Sequence, residues 1–331
     1  MTIPNIFLNR AGRVRSGWRF LIFAAVFVGA ASVVQPLLVY AIRAARSAGV
    51  PAYVFSAGVR VVIQSASTLA LATLAGWACN RVLEDLPPRA FGWKAHDGWL
   101  RHLGVGALFG VLSLAFAALV CTAAGSYTFA LTPNALWGSV FQTLVASAWV
   151  FLIGAASEEA LARGYPLQTL LRSWPAWLAI IPTSLVFAYL HRSNPNVTML
   201  SLANTLLAGL WLAIAYVRTR SLWFPLGIHW GWNFAAGSLL GLPVSGLTEL
   251  APVPLMRATD TGPTWVSGGH YGVEGGAACA LAIIVSTFFV RYTRLVKPDE
   301  ELKRMTDGEN PATPSALEGR ATEESNNQRL A

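Results

Sequence analysis

The feature that most constrains this chain is a succession of apolar runs, each close to the roughly 20 residues that a helix needs to cross a bilayer. Runs at about 18–42, 56–79, 102–125, 137–157, 176–191, 199–217, 222–242 and 271–290 predict about eight transmembrane helices. A backbone in hydrocarbon must satisfy its own hydrogen bonds, so such runs are expected to be helical. The expected fold class is therefore all-α, a polytopic membrane helical bundle. Composition agrees. Of 331 residues 54% are hydrophobic and 12% charged, against about 25% charged in a soluble domain.

The charges are unevenly spread. Residues 297–331 hold eight of the sixteen acids and five of the 24 bases, with no apolar periodicity. They read as a disordered, polar cytoplasmic tail, leaving 1–296 as the membrane-embedded helical domain. With the N-terminus in the cytoplasm, Arg10, Arg13, Arg15 and Arg19 lie inside, followed by Arg81, Arg89, Lys94 and Arg101, then Arg172, Arg218, Arg220, Arg291 and Arg294. Arg43, Arg46, Arg60, Arg192 and Arg257 fall on the other side. Eight spans with both termini cytoplasmic fit the positive-inside rule better than the reverse. A cleaved secretory signal is the alternative reading of the first run, which is long for one. The loop 126–136, on the outer side, carries no base, and 242–270, rich in Pro and Gly, is too polar to span. No basic stripe with interleaved aromatics appears, so a nucleic-acid partner is not expected despite a pI near 9.8. Cys79, Cys121 and Cys279 form no CxxC pair and suit neither a disulfide framework nor a thiolate metal site.

Of the eight acids before residue 297, Glu84, Asp85, Asp97, Glu249 and Asp260 are assigned to loops, and Glu274 opens the last span. Glu158 and Glu159 stand in an apolar helix near its cytoplasmic end, where ionised groups are costly and mark function by default. Adjacent helical residues point about 100° apart. Arg163, four residues on, can pair with Glu159, which frees Glu158 to face a cavity. A merely charged helix end is the competing reading. His191 follows an apolar run with Phe187 one turn before it, which an interfacial cap would also explain. His229 and Asn233 share one face of a span at i,i+4, and a helix–helix hydrogen bond would account for them as well.

Together, a carboxylate, two imidazoles and an amide form a hydrolytic set: a base for water, and donors for an oxyanion. Alternatively Glu158, His191 and His229 could ligate a metal, zinc being the candidate, although no HExxH helix is present. A transporter with a proton relay would need polar groups through both leaflets, whereas here they cluster in three spans.

The order Glu158-Glu159-Ala-Leu-Ala-Arg163, Phe187-Ala-Tyr-Leu-His191 and His229-Trp-Gly-Trp-Asn233 resembles the CPBP family of intramembrane proteases, which includes the type II CAAX prenyl endopeptidases and bacteriocin-processing Abi proteins. The ordered set covers 137–233, with looser likeness to 290, including Gly268-Gly269 and Glu274-Gly275-Gly276. The resemblance implies an endopeptidase acting on a membrane-embedded or lipidated substrate, in a prokaryotic cytoplasmic (inner) membrane. Glu158 would activate water beside His191, His229 and Asn233 would form the oxyanion hole, and Glu159 and Arg163 would position them. The family's metalloprotease names keep zinc open, and a catalytically silent scaffold or bacteriocin-immunity-type protein is the alternative. Strict alternation of straight spans would place His191 and His229 at different depths. Short or bent helices around a water-filled cavity would bring them level.

Overall fold

The computed structural model describes residues 6–9, 12–133 and 136–308. Arg10 and the tail beyond 308 lie outside the described residues. The chain runs through α1 (Ser16–Ser47), α2 (Ala57–Leu83), α3 (Trp99–Ala123), α4 (Trp137–Ala162), α5 (Tyr165–Leu171), α6 (Ala176–Leu190), α7 (Met199–Thr219) and α8 (Trp223–Phe234). It continues through the single turn α9 (Thr264–Ser267), then α10 (Ala277–Tyr292) and α11 (Glu300–Thr306).

Among the described residues, five helical segments are long and apolar enough to cross a membrane: α1, α2, α3, the stretch Trp137–Leu171 and α7. The expectation of about eight full-length crossings is not met by helix length. Where the other three were expected, α6 has 15 residues, α8 12 and α10 16. Hydropathy counts apolar residues but not the turns among them. The last expected span opens in the 3-10 turns Gly269–Tyr271 and Val273–Gly275, and α8 passes at Phe234 into a π turn, Ala235–Leu239.

The all-α expectation also misses one element. β1 (Tyr127–Leu131) and β2 (Met256–Asp260) pair antiparallel, Tyr127 opposite Asp260 and Leu131 opposite Met256. Both lie in the polar connections, where the chain ends an apolar run and pairing gives the backbone partners that helices no longer supply.

The bundle is organised around a close crossing of α3 and α8. A Cβ on Gly106 would sit 2.4 Å from the Phe224 carbonyl oxygen, and one on Gly110 2.1 Å from that of Ile228. Reciprocally, a Cβ on Gly227 would meet Leu103 O at 2.2 Å and one on Gly231 Ala107 O at 2.3 Å. Gly106-xxx-Gly110 and Gly227-xxx-Gly231 thus let two backbones touch, the small-xxx-small packing of membrane helices. Trp230 on the same helix donates its indole N–H to Ala148 O of α4 (3.0 Å). α7 begins with reciprocal hydrogen bonds between Thr198 and Ser201, a capping box in which serine replaces the usual glutamate. At Gly209 it meets α6, where a Cβ would lie 2.9 Å from Ser184 Cβ.

Two further features depart from the sequence reading. Glu84, assigned to a loop, is buried at the end of α2. It takes Arg19 and Arg172 at 3.0 Å each and the Thr169 hydroxyl at 2.6 Å, tying α1 to the region around α5. The tail expected to be disordered from residue 297 instead begins with docked α11. Asp299 caps it by accepting from Leu302 N (2.7 Å), Leu302 and Thr306 are buried, and Glu301 pairs with Arg89 (2.8 Å) and Lys94. Composition averaged over 35 residues had concealed a capped helix with acids in its first turn and bases in its last.

Candidate active site

Each motif acts through helical i,i+4 geometry. Near the end of α4, Arg163 donates to Glu159 Oε1 (3.1 Å), and both side chains are essentially inaccessible. Its second terminal nitrogen donates to the Gly209 carbonyl of α7 (2.9 Å), and the guanidinium lies 4.5 Å from the centre of the Phe187 ring. One arginine thereby fixes α4 against α6 and α7.

His191 ends α6. Its Nδ1 is 2.8 Å from the Phe187 carbonyl, which can only accept, so Nδ1 carries the proton. The imidazole supplies a donor to one of the carbonyls a helix end leaves open, and Nε2 is turned towards α4. His229 on α8 is set the same way, its Nδ1 2.9 Å from Glu159 Oε1.

The two Nε2 atoms converge on one carboxylate. Glu158 Oε2 lies 3.7 Å from His191 Nε2 and 3.8 Å from His229 Nε2. These separations exceed a direct hydrogen bond, and Oε2 is buried without a hydrogen-bond partner. Phe187 backs the pair, its ring centre 4.6 Å from that of His191 and 6.2 Å from that of His229. Glu158, His191, His229 and Asn233 all line a cavity of about 610 Å³. Glu159 and Arg163 lie behind its wall. The depth conflict of straight spans does not arise, because α6 is about 22 Å long at 1.5 Å per residue and ends level with Glu158.

Zinc is not supported by the donor set. Among the described residues no group of three or more His, Cys, Asp or Glu side chains is placed to hold a metal ion.

Sequence reading did not mark a second polar group in the cavity wall, formed by Asn204 of α7, Trp232 of α8, Ser245 and Glu274. Glu274, expected to open a span, sits in a 3-10 turn and accepts from Trp232 Nε1 (3.0 Å), Ser245 N (2.5 Å) and Ser245 Oγ (3.0 Å). The available signal was an acid inside a glycine-rich apolar stretch.

A 141-residue stretch is 29% identical to an uncharacterized 24.3 kDa protein of Escherichia coli. The match takes in 40% of this chain and 62% of that protein's length. Residues 139–235, which contain all three motifs, match the family described as type II CAAX prenyl endopeptidase Rce1-like. That family's activity is proteolysis, and its match overlaps two of the segments long and apolar enough to cross a membrane, Trp137–Leu171 and α7. The family that the three motifs resemble is thus the one whose model residues 139–235 match.

Proposed function

We propose that the protein is an intramembrane endopeptidase that hydrolyses a peptide bond of a membrane-embedded or lipidated substrate. The observation that carries this reading is the approach of both imidazole Nε2 atoms to a single unpartnered glutamate oxygen in a cavity.

The chemistry follows from the contacts. Water bound between Glu158 and His191 attacks the scissile carbonyl carbon and passes a proton to the Glu158 carboxylate, as general-base catalysis requires. The carbonyl π electrons move to oxygen, and the oxyanion is met by His229 and the Asn233 amide. Because Glu159 accepts from Nδ1 of His229, donation from Nε2 needs the doubly protonated ring. The carboxylates near its two nitrogens supply the countercharge. The C–N bond then breaks, Glu158 returns its proton to the leaving nitrogen, and a carboxylic acid and an amine form, the acid's proton passing to the amine as the two products separate.

In the proposed topology eight segments cross a prokaryotic cytoplasmic membrane with both termini inside. α6, α8 and α10 are short crossings that the water-filled cavity permits.

Protein reconstituted in lipid and incubated with single-span or lipidated peptides should cleave them. Glu158→Gln and His191→Ala should abolish cleavage without changing folding, while a zinc chelator should leave the rate unchanged. Undiminished cleavage by the glutamine variant would reject Glu158 as the base; no cleavage of any such peptide by the unaltered protein would favour a silent scaffold; loss on chelation would restore the metal alternative.

A further inference from the structure

The cavity wall has a second polar group. Asn204 is 3% exposed, and its amide nitrogen donates to the backbone carbonyls of Glu274 and Gly276, 2.8 Å each. Both N–H groups are thereby held by the wall, which leaves Oδ1 as the remaining polar atom of a side chain that lines the cavity. Beside it the Glu274 carboxylate is held by an indole N–H, a backbone N–H and a hydroxyl, all neutral donors. These occupy three of the roughly four acceptor positions of a carboxylate. Among the described residues, no Lys or Arg lines this cavity, and its acids are Glu158 and Glu274.

Two acceptors, one a carboxylate, in a cavity lined by no Lys or Arg and whose two imidazoles face Glu158, favour a cation and oppose an anion. The preference is steeper than in water because the surroundings are apolar. We propose that the Asn204–Glu274 group is a specificity subsite for a cationic side chain of the substrate, a lysine or arginine near the bond cut. Glu274 supplies the countercharge and Asn204 Oδ1 a further acceptor. The term substrate rests on the proteolytic reading above, but the subsite makes its own prediction about binding.

The probe is an apolar single-span peptide in which one lysine is moved residue by residue, each version paired with norleucine and glutamate at the same position. Binding is measured to full-length Glu158→Gln protein in lipid nanodiscs, and cleavage with the unaltered protein. At one position, or a short cluster, lysine should bind at least about tenfold tighter than norleucine, and glutamate weaker than either. The same order should appear in kcat/KM. In the Glu274→Gln background the lysine-to-norleucine ratio should fall to about one, whatever the absolute affinity. No lysine preference at any position, or a preference that survives Glu274→Gln, overturns the subsite. The order among the three peptides on protein carrying Glu274 decides the matter even if that variant does not fold. Preferential binding without cleavage by the unaltered protein keeps the subsite and sinks the proteolysis. Cleavage that needs Glu158 but ignores lysine does the reverse.

Discussion

At the scale of single residues the site is a problem of proton placement. Each imidazole spends Nδ1 on a fixed acceptor, Phe187 O for His191 and Glu159 for His229, and turns Nε2 to Glu158. The acceptors differ: a neutral carbonyl supports a neutral ring, and a carboxylate supports an imidazolium. In the proposed mechanism this difference divides the labour between a group that helps activate water and one that donates to an oxyanion. Asn233 lines the same cavity as His229 and is the second donor of the proposed mechanism. Asn233→Ala should therefore lower kcat by about 10²–10³-fold with little change in KM, read from initial rates over a substrate series. A matched rise in KM would make it a binding residue instead. These residues were legible because chemistry in lipid leaves few polar side chains to choose from. Glu274 was not, since an acid at a helix start is ordinary and only its three donors distinguish it.

At the scale of elements, what places those atoms is backbone contact. α8 carries His229 and Asn233, and its position is set by Gly227 and Gly231 lying on Leu103 and Ala107 of α3. Gly231→Val forces the crossing apart. It should destabilise the protein by about 1–3 kcal/mol and reduce activity, whereas Gly29→Ala on α1, with open space around it, should do neither. Denaturant titration in detergent, with activity measured in parallel, checks both. The repeated spacing Gly106/Gly110 and Gly227/Gly231 is visible in the sequence, but its partner is not, because either pair could serve any neighbouring helix. α11 is a different kind of element, held from outside the membrane. The hydrogen bond from Lys94 pulls the Glu301 carboxyl below its ordinary 4.5, and the same bond raises Lys94 above 10.5. Glu301's contribution is thus present above 4.5 and lost as pH falls through its depressed value, while that of Lys94 is present below 10.5 and lost as pH climbs through its raised value. Hydrogen exchange over residues 299–307 should stay slow across the neutral range and quicken only at the acidic and strongly alkaline ends, after correction for intrinsic exchange. Release within the neutral range would show that the Lys94–Glu301 pair is not what holds α11.

At the scale of the whole molecule, four of the long helices, α1, α2, α4 and α7, and the short α6, α8 and α10 line a cavity reached by polar groups from α4, α6, α7 and α8. Reporter fusions placed in the 242–256 loop and after residue 308 should report opposite sides of the membrane if the proposed topology holds; the same side for both would remove it. The sequence by itself determined that the chain is helical and built for lipid, because apolar runs of that length have no other way to satisfy their backbone. It also determined which polar residues to watch, because i,i+4 spacing puts side chains on one face whatever the neighbours do. Only the tertiary structure decided that α6 stops short enough for His191 to stand level with Glu158, that Glu84 is a buried clamp and not a loop acid, and that the segment after residue 297 folds back as α11. Those outcomes depend on which distant segments meet. Distances between side chains on different helices follow from crossings such as that of α3 and α8, and no local pattern encodes them.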